Sequence, residues 1–377
     1  MKNALNIDNE IIVCGFNTFN AYGVVRSLGE GGIKPIVIIN KCPNPFISKS
    51  KYVKDVIYFD KPDSLPDIVK NRLITSHIKP IIICCDDPIQ SAFDKRYDEL
   101  KDQCILSNAS NKSGEITRLM NKTLQGKIAE ECGLLVPRSW VIKTGETIPG
   151  DITYPCIIKP LLSIGGVKAD IKICKELNEL KRALDNKDYL VQEYINKDYE
   201  AMIWGTSLQN DEYYFTGLGR KIRQYPNKYS ISSFGIIEDL KDHPEVDVDS
   251  IDKFLKALDY KGMFNIEFAV KDNRYYFLEI NLRNGGKQYF TTIGGENLPL
   301  MYVNSVLGHK LQKPNPQYPI YFMGETTDIK HIFKKEISLR QYYHDFRNAN
   351  AFFIFNKKDP MPFIYQLFKK FLNRIFK

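Results

Sequence analysis

Phe264-Asn-Ile-Glu267-Phe-Ala-Val-Lys271-Asp-Asn-Arg274-Tyr-Tyr-Phe-Leu-Glu279-Ile-Asn281-Leu-Arg283-Asn-Gly-Gly286 is the most informative stretch of this chain. Two runs of alternating apolar and polar residues flank Asp272-Asn273-Arg274, a turn-like triplet, so the stretch reads as a β-hairpin. With that triplet as the loop, Lys271 pairs with Tyr275, and counting back sets Glu267 directly across from Glu279. Successive side chains on a strand point to opposite faces. Ile266, Phe268 and Val270 then share a core face with Tyr276, Leu278 and Ile280, while Glu267, Glu279 and Asn281 occupy the other. Like charges placed opposite one another weaken a sheet. Three oxygen-bearing side chains beside an apolar core make sense around a hard cation, and Mg²⁺ takes oxygen ligands together with phosphates and water. Arg283-Asn284-Gly285-Gly286 follows at once, offering a cation to an anion and room for close backbone approach. The plainer reading is a solvated sheet face with scattered acids.

Upstream, Tyr154-Pro-Cys156-Ile-Ile-Lys159-Pro160 reads as a short apolar strand ending in a lysine. It continues into Leu-Leu-Ser163-Ile-Gly165-Gly166-Val-Lys168, a small glycine-bearing loop. Glycines let backbone N–H groups close on phosphate oxygens, and a lysine adds a point charge. Standing alone, Lys159 is a solvated strand end. Tyr189-Leu-Val-Gln192-Glu193-Tyr194-Ile195 is a buried strand that runs into a polar loop, a layout that can present backbone groups to an adenine edge. Glu200 follows, a carboxylate placed to accept from ribose hydroxyls or to sit in an exposed loop. Gly219-Arg220-Lys221-Ile-Arg223-Gln-Tyr225 puts three cations in four residues. On a regular strand Lys221 and Arg223 share a face and Arg220 points opposite. Basic side chains suit a phosphoryl-transfer site, or a basic edge strand guarded against aggregation.

In this order, with Lys122 in a helix ahead of them, the elements resemble the ATP-grasp superfamily over about residues 112–310. The resemblance implies a mixed α/β and α+β chain of three parts. A Rossmann-like pre-ATP-grasp domain would occupy 1–111. An ATP-grasp domain, two subdomains clamping ATP, would occupy 112–310, and a C-terminal extension 311–377. The implied cofactors are ATP and two magnesium ions, for which Mn²⁺ can substitute. Lys122 and Lys159 would contact ATP phosphates, Lys159 also lying near the adenine, with Ser163, Gly165, Gly166 and Lys168 in the loop over the phosphates. Glu193 and Ile195 would bracket the adenine in a hinge that Gln192 and Tyr194 complete, and Glu200 would hold the ribose. Glu267, Glu279 and Asn281 would ligate the metal. Arg283, with Arg220 or Arg223, would stabilise the transferring phosphoryl group or the acyl phosphate. Two departures stand out: Leu282 occupies a position where the family often has Pro, and the loop is short of glycines.

Within the superfamily the chain looks most like carboxylate–amine ligases related to D-aspartate ligase, which often act in bacterial cell-surface glycan and peptidoglycan pathways. Gly219-Arg-Lys-Ile-Arg-Gln-Tyr-Pro226 carries that likeness. It implies ADP-forming activation of a carboxylate as an acyl phosphate and its transfer to an amine, the substrates being small or glycan-linked. Two alternatives stay open: carboxylation through carboxyphosphate, and a non-catalytic ATP-binding protein. The full set of metal ligands argues against the second.

Outside this region the first hundred residues alternate apolar runs at 11–14, 35–39 and 80–85 with helical stretches such as 21–28, the pattern of a parallel sheet with crossover helices. Gly15 does not begin a dinucleotide fingerprint, because the glycine spacing is wrong. Asp86 and Asp87 follow a strand's carboxyl end, where open α/β sheets bind ligands. The favoured reading is simpler: Asp87 caps a helix ahead of Pro88. A helix is expected over 115–132, closed by Gly133.

The 377 residues are 43% hydrophobic and carry a formal charge of +8, an ordinary globular composition with a modest basic excess. That excess fits a Lys-rich surface, an anionic ligand or an anionic membrane. Lys and Arg form no compact run interleaved with aromatics, so nucleic acid is not an expected partner. Eight cysteines, none in a C-x-x-C pair, point to reduced thiols, and five scattered histidines to no zinc site. The first residues hold no apolar core or cleavage motif, and no run of 18 apolar residues exists, so a cytosolic protein is expected. Residues 363–377 form a basic amphipathic helix with a very apolar stripe. Two readings of it stand level: docking on the protein's own core or a second subunit, and peripheral contact with the inner membrane leaflet.

Overall fold

The computed structural model describes residues 7–160, 172–185, 187–226 and 231–375. Four parallel strands open the chain in the spatial order Asp55–Phe59, Ile36–Asn40, Ile11–Gly15 and Ile81–Cys84. Three are near-continuous runs of Ile and Val, because a parallel sheet is covered on both faces. Asp55–Phe59 escapes the sequence reading: as the edge strand it alternates exposed and buried positions. Helix Phe19–Glu30 packs one face through Val24, Val25 and Leu28. Helices Leu65–Arg72 and Asp87–Asp94 cover the other with Leu65, Val69, Ile89 and Phe93.

The helix expected over 115–132 is two helices, Glu115–Leu119 and Lys122–Glu131. Asn121 interrupts it: its side-chain oxygen accepts from the Leu124 amide at 3.0 Å and caps the second helix. Lys122 therefore stands in a first turn, where the helix dipole disfavours a cation. Gln125 fastens that helix to the hairpin. Its amide nitrogen donates to the Ile280 carbonyl at 2.9 Å, and its oxygen accepts from the Ile280 N–H at 3.2 Å.

A small antiparallel sheet follows, ordered Ser139–Ile142, Tyr189–Glu193, Cys156–Pro160 and Lys172–Cys174. It has its own core around Ile142, Ile158 and Val191. Facing it is a seven-stranded sheet in the order Arg274–Asn281, Met263–Lys271, Tyr199–Ser207, Tyr213–Tyr225, Ile231–Glu238, Ile320–Met323 and Ala351–Phe352. One face of the large sheet buries Ala201, Ile203, Ile266 and Phe268 under helix Val248–Ala257. The opposite face packs Met202, Trp204 and Met263 onto the N-terminal sheet and its helices. Farther along the same strands that second face carries Glu200 and Glu267 instead.

The hairpin differs from its sequence reading in two ways that cancel. Its turn has two residues, Asp272 and Asn273, both at positive φ (49° and 57°), and Lys271 pairs with Arg274. Paired positive φ values mark the turn that matches strand twist in two-residue hairpins. A bulge after Phe268↔Phe277 then absorbs Leu278, and Glu267↔Glu279 is restored. The faces change accordingly. Tyr275 and Phe277 enter the core in place of Tyr276 and Leu278, which are half-buried.

Residues beyond 310 complete the large sheet rather than standing apart from it, through Ile320–Met323 and Ala351–Phe352. Glu325 fixes their return by accepting from the N–H groups of Phe353, Ile354 and Phe355 at 2.9–3.1 Å. Asp359, 1% exposed, accepts from the Lys51 N–H at 3.1 Å, the Tyr22 hydroxyl at 3.1 Å and Ser50 Oγ at 2.5 Å. The final helix, Met361–Ile375, starts from that anchor and lies along Phe46–Lys49. All eight cysteines are free.

Candidate functional site

The small sheet and the large sheet enclose a cavity of about 170 Å³. Lys122, Lys159, the 192–195 segment, Glu200, Glu267 and Glu279 all line it. Lys122, Pro137, Lys159, Gln192 and Leu278 are shared with a neighbouring cavity of about 390 Å³. Residues separated by more than 150 positions thus meet because strand Tyr199–Ser207 pairs with Met263–Lys271 and helix Lys122–Glu131 is clamped on the hairpin.

Cations and carboxylates alternate within it. Lys122 Nζ lies 2.8 Å from Glu279, and Lys221 Nζ 3.7 Å from Glu267. Lys221 and Lys197 both grip Glu200. Glu267 and Glu279 are 25% and 28% exposed, open to the cavity, whereas Lys221 is only 4% exposed. Burial opposes the charge on Lys221, but Glu267 and Glu200 outweigh it and hold its pKa above the usual lysine value. Burial likewise opposes the charge on Lys122, and Glu279 again prevails. Burial would raise the Glu200 pKa, yet Lys221 and Lys197 bring it below the usual carboxylate range.

Lys159 differs from its neighbours. Its ammonium donates to Gln192 Oε1 at 2.8 Å, a neutral acceptor, and Gln192 Nε2 in turn donates to Ser139 Oγ at 2.9 Å. Burial pulls its pKa down to about 8, helped by the nearby Lys122. The lysine that reads as a solvated strand end is thus 8% exposed and held by an amide.

Glu267 and Glu279 face each other across the strands, with Asn281 two residues on, its oxygen accepting from Arg283 at 3.0 Å. Two carboxylates and an amide are hard oxygen donors of the kind Mg²⁺ takes when phosphates and water complete its shell. Among the described residues no three His, Cys, Asp or Glu side chains gather as a self-sufficient metal site. The donor set therefore fits an ion that arrives with a phosphate ligand.

The remaining sequence-derived candidates are spread more widely. Arg283 is fastened to Asp87, Nε to Oδ1 at 2.9 Å and Nη2 to Oδ2 at 3.2 Å. Asp87 is therefore no helix cap. The helix begins behind Asp86, which makes no side-chain cap and instead accepts from the Phe16 N–H at 2.8 Å. Gly285 and Gly286 serve close approach, but to protein: a Cβ on Gly285 would meet the Trp204 ring at 2.7 Å, and one on Gly286 the Phe19 ring at 2.9 Å. Arg220 points to the other side of the sheet, stacks over Tyr199 and pairs with Glu238. Arg223 is displaced by a bulge between Lys221 and Arg223 and binds Asp328 and Asp345, each at 2.7 Å. Glu193 turns its carboxylate to the Arg138 N–H at 3.3 Å, and the Tyr194 N–H donates to the Pro155 carbonyl at 3.2 Å. Ser163, Gly165, Gly166 and Lys168 lie outside the described residues.

Lys221, Lys197, Leu278 and Asp87 join the site region without having been singled out for it. Two of them had a visible signal: Lys221 as the middle cation of Gly219-Arg-Lys-Ile-Arg, and Asp87 at a strand's carboxyl end.

No family model matches the chain. It is 24% identical over 327 residues to D-aspartate ligase of Enterococcus faecium (strain Aus0004), an alignment covering 79% of this chain and 77% of the relative. It is 25% identical over 334 residues to the carbamoyl phosphate synthase large chain of Caldanaerobacter subterraneus subsp. tengcongensis, covering 81% of this chain but only 30% of that much longer relative. Among solved structures, N5-carboxyaminoimidazole synthetase from Staphylococcus aureus, complexed with ADP, superposes with a TM-score of 0.67 at 16% identity, over 89% of this chain and 88% of that one. The chain thus shares its architecture with that synthetase and is similar in sequence over most of its length to D-aspartate ligase, in line with the resemblance to the ATP-grasp superfamily that its motifs carry.

Proposed function

We propose that the protein activates a carboxylate with MgATP and joins it to an amine, releasing ADP and phosphate. The observation that carries this reading is the interleaving of Lys122, Lys159 and Lys221 with Glu200, Glu267 and Glu279 around one cavity. A cavity lined by cations can hold phosphate oxygens, and the carboxylates beside them can hold the accompanying metal. Lys122 and Lys159 bind the phosphates, the 193–195 backbone meets the adenine edge, and Glu200 accepts from the ribose. Glu267, Glu279 and Asn281 would hold Mg²⁺, which supplies neutralising charge for the phosphates; Mn²⁺ has the same oxygen preference. Arg283, oriented by Asp87, faces the acyl phosphate, and Lys221 adds the cation that Arg220 and Arg223 do not bring to the cavity.

The carboxylate oxygen attacks the γ-phosphorus, the bond to the ADP oxygen breaks, and an acyl phosphate forms. The amine then attacks the acyl carbon, expels inorganic phosphate and loses a proton. The protein contributes position, fixed charge and exclusion of water. By its similarity to D-aspartate ligase, an amino acid is the first carboxylate to try, and the resemblance carried by the 219–226 motif makes a precursor of a bacterial surface polymer the first amine.

ATP-dependent hydroxamate formation, with hydroxylamine as surrogate amine across amino acids, uronic acids and other small carboxylates, tests the proposal. A Mg²⁺-dependent signal with one acid is the expected result. The similarity to carbamoyl phosphate synthase favours one second reading, in which bicarbonate is the acid activated. ADP release that requires bicarbonate and no amine would select it. ATP binding with no turnover on any acid would overturn both.

A further inference from the structure

Residues 311–377 contain twelve Lys and Arg but five Asp and Glu, so most of the chain's +8 resides in its last part. The structure sharpens that bias. Glu325, Asp328, Asp345 and Asp359 are all less than 9% exposed, spent on backbone N–H groups, on Arg223 and on the Asp359 anchor. Glu336 is the one exposed acid of this part. In the same part Lys334, Lys335, Arg340, Arg347, Lys357 and Lys370 are exposed.

The same part carries ten of the sixteen large apolar residues that are exposed among the described residues. Eight of the ten fall on two helices, the other two, Ile329 and Phe333, lying at the short helix Lys330–Phe333. On Leu339–Asn348, Leu339 (70% exposed), Tyr343 (59%) and Phe346 recur at i, i+4 and i+7. On Met361–Ile375, Ile364, Leu367, Phe368 and Phe371 recur at i, i+3, i+4 and i+7, each 43–60% exposed. Tyr365, on another side of that helix, packs on the core, so the apolar stripe is what docking leaves uncovered. An aromatic chain joins the two helices: Phe346 to Phe352 at 5.0 Å, Phe352 to Phe355 at 5.7 Å and Phe355 to Phe363 at 5.4 Å.

We infer that these two helices form a single platform that lies on an anionic lipid surface. Exposed Phe and Leu at helical spacing beside unbalanced Lys and Arg is the chemistry of an interfacial helix: acyl chains take the apolar stripe and lipid phosphates the cations. The cores of protein interfaces are poor in Lys, and a second copy would bring like charge against like. No described helix is long and apolar enough to cross a membrane, so the platform rests on the bilayer. The proposal needs no substrate and stands apart from the ligase reading.

Co-sedimentation of the whole chain with phosphatidylcholine vesicles, with and without phosphatidylglycerol, is the test. Binding should require phosphatidylglycerol and weaken as salt rises. Phe368→Ser/Phe371→Ser and Leu339→Ser/Tyr343→Ser should each reduce partitioning by about tenfold or more, since each exchange removes two large apolar contacts. These side chains are exposed, and ATP binding should be unchanged. Failure to bind phosphatidylglycerol vesicles overturns the proposal, as does binding that either double variant leaves intact. Self-association in sedimentation velocity, abolished by the same variants while vesicles are ignored, would give the face to a second copy instead.

Discussion

Lys221 and Arg223 stand two residues apart on one strand, and they belong to two unlike charge clusters. Arg223 meets Asp328 through two nitrogens and Asp345 through a third, and Asp328 is fully buried. Its guanidinium is saturated by two carboxylates in good geometry, leaving no cation for a ligand to recruit. Lys221 is as deeply buried, but it shares Glu200 with Lys197 and reaches Glu267 only at 3.7 Å. Glu267 and Glu279 stay open to the cavity. The first cluster is a closed joint between the large sheet and helix Leu339–Asn348. The second is a set of contacts that can be exchanged for others. Charge alone does not separate structure from function here; the way each charge is satisfied does.

Breaking the closed joint should cost the most. Arg223→Met removes the guanidinium paired with buried Asp328 and leaves it the Ser233 hydroxyl as side-chain donor, and loss of one member of a buried pair typically costs about 3–5 kcal/mol. Chemical denaturation should register that loss, while the folded fraction keeps its affinity for ATP. Equal loss of ATP affinity in folded protein would mean that the two clusters act as one.

In the open cluster, stability should change little and activity much. Glu279→Gln keeps the shape but removes a metal-ligating charge, and turnover should fall about 100-fold, near 2.7 kcal/mol of barrier. A normal unfolding midpoint with lost turnover is the expected pair of results. Full activity in this variant would remove Glu279 from the metal assignment.

The third test is pH. Lys159, drawn down to about 8, is charged below that pH and neutral above it in the free protein. ATP phosphates favour the charged form, so the Kd for ATP should rise with pH above about 8, by at most about tenfold per unit for one proton. Lys159→Arg should flatten that rise, because a guanidinium stays charged. Calorimetry across neutral to alkaline pH reads both; a flat profile in the parent protein would place Lys159 away from the phosphates.

The smallest effect belongs to Arg220. It is 38% exposed and pairs with Glu238 at 3.3 Å. Arg220→Ala should change stability by no more than about 1 kcal/mol, as exposed pairs do, and leave the KM for ATP unaltered. A raised KM would bring Arg220 back to the cavity.

These contrasts also explain what could be read without the structure. The facing of Glu267 and Glu279 was legible because alternation constrains a hairpin strongly, and it survived a turn one residue short because Leu278 bulges by one. The identities of Tyr275 and Phe277 as core residues were not legible, since that depends on where the bulge falls. The parallel N-terminal sheet was legible in its Ile-rich strands, except for the half-exposed edge strand Asp55–Phe59. In the 219–225 segment the cations were plain, but choosing Lys221 over Arg220 and Arg223 requires knowing a second bulge and acids more than 100 residues away. Asp87 read as a cap because local sequence cannot reveal Arg283, 196 positions downstream.

The pairing of Lys122 with Glu279 has one further consequence. On the proposed roles, ATP arriving alone would draw the lysine away and leave Glu279 one cation short in a half-enclosed cleft. A divalent ion arriving alone would take the carboxylate and leave the lysine one carboxylate short. Together they replace one internal pair by two external ones, and neither charge loses a partner. Metal and nucleotide should therefore be positive effectors of one another, each raising the other's affinity by the same factor, as linkage requires.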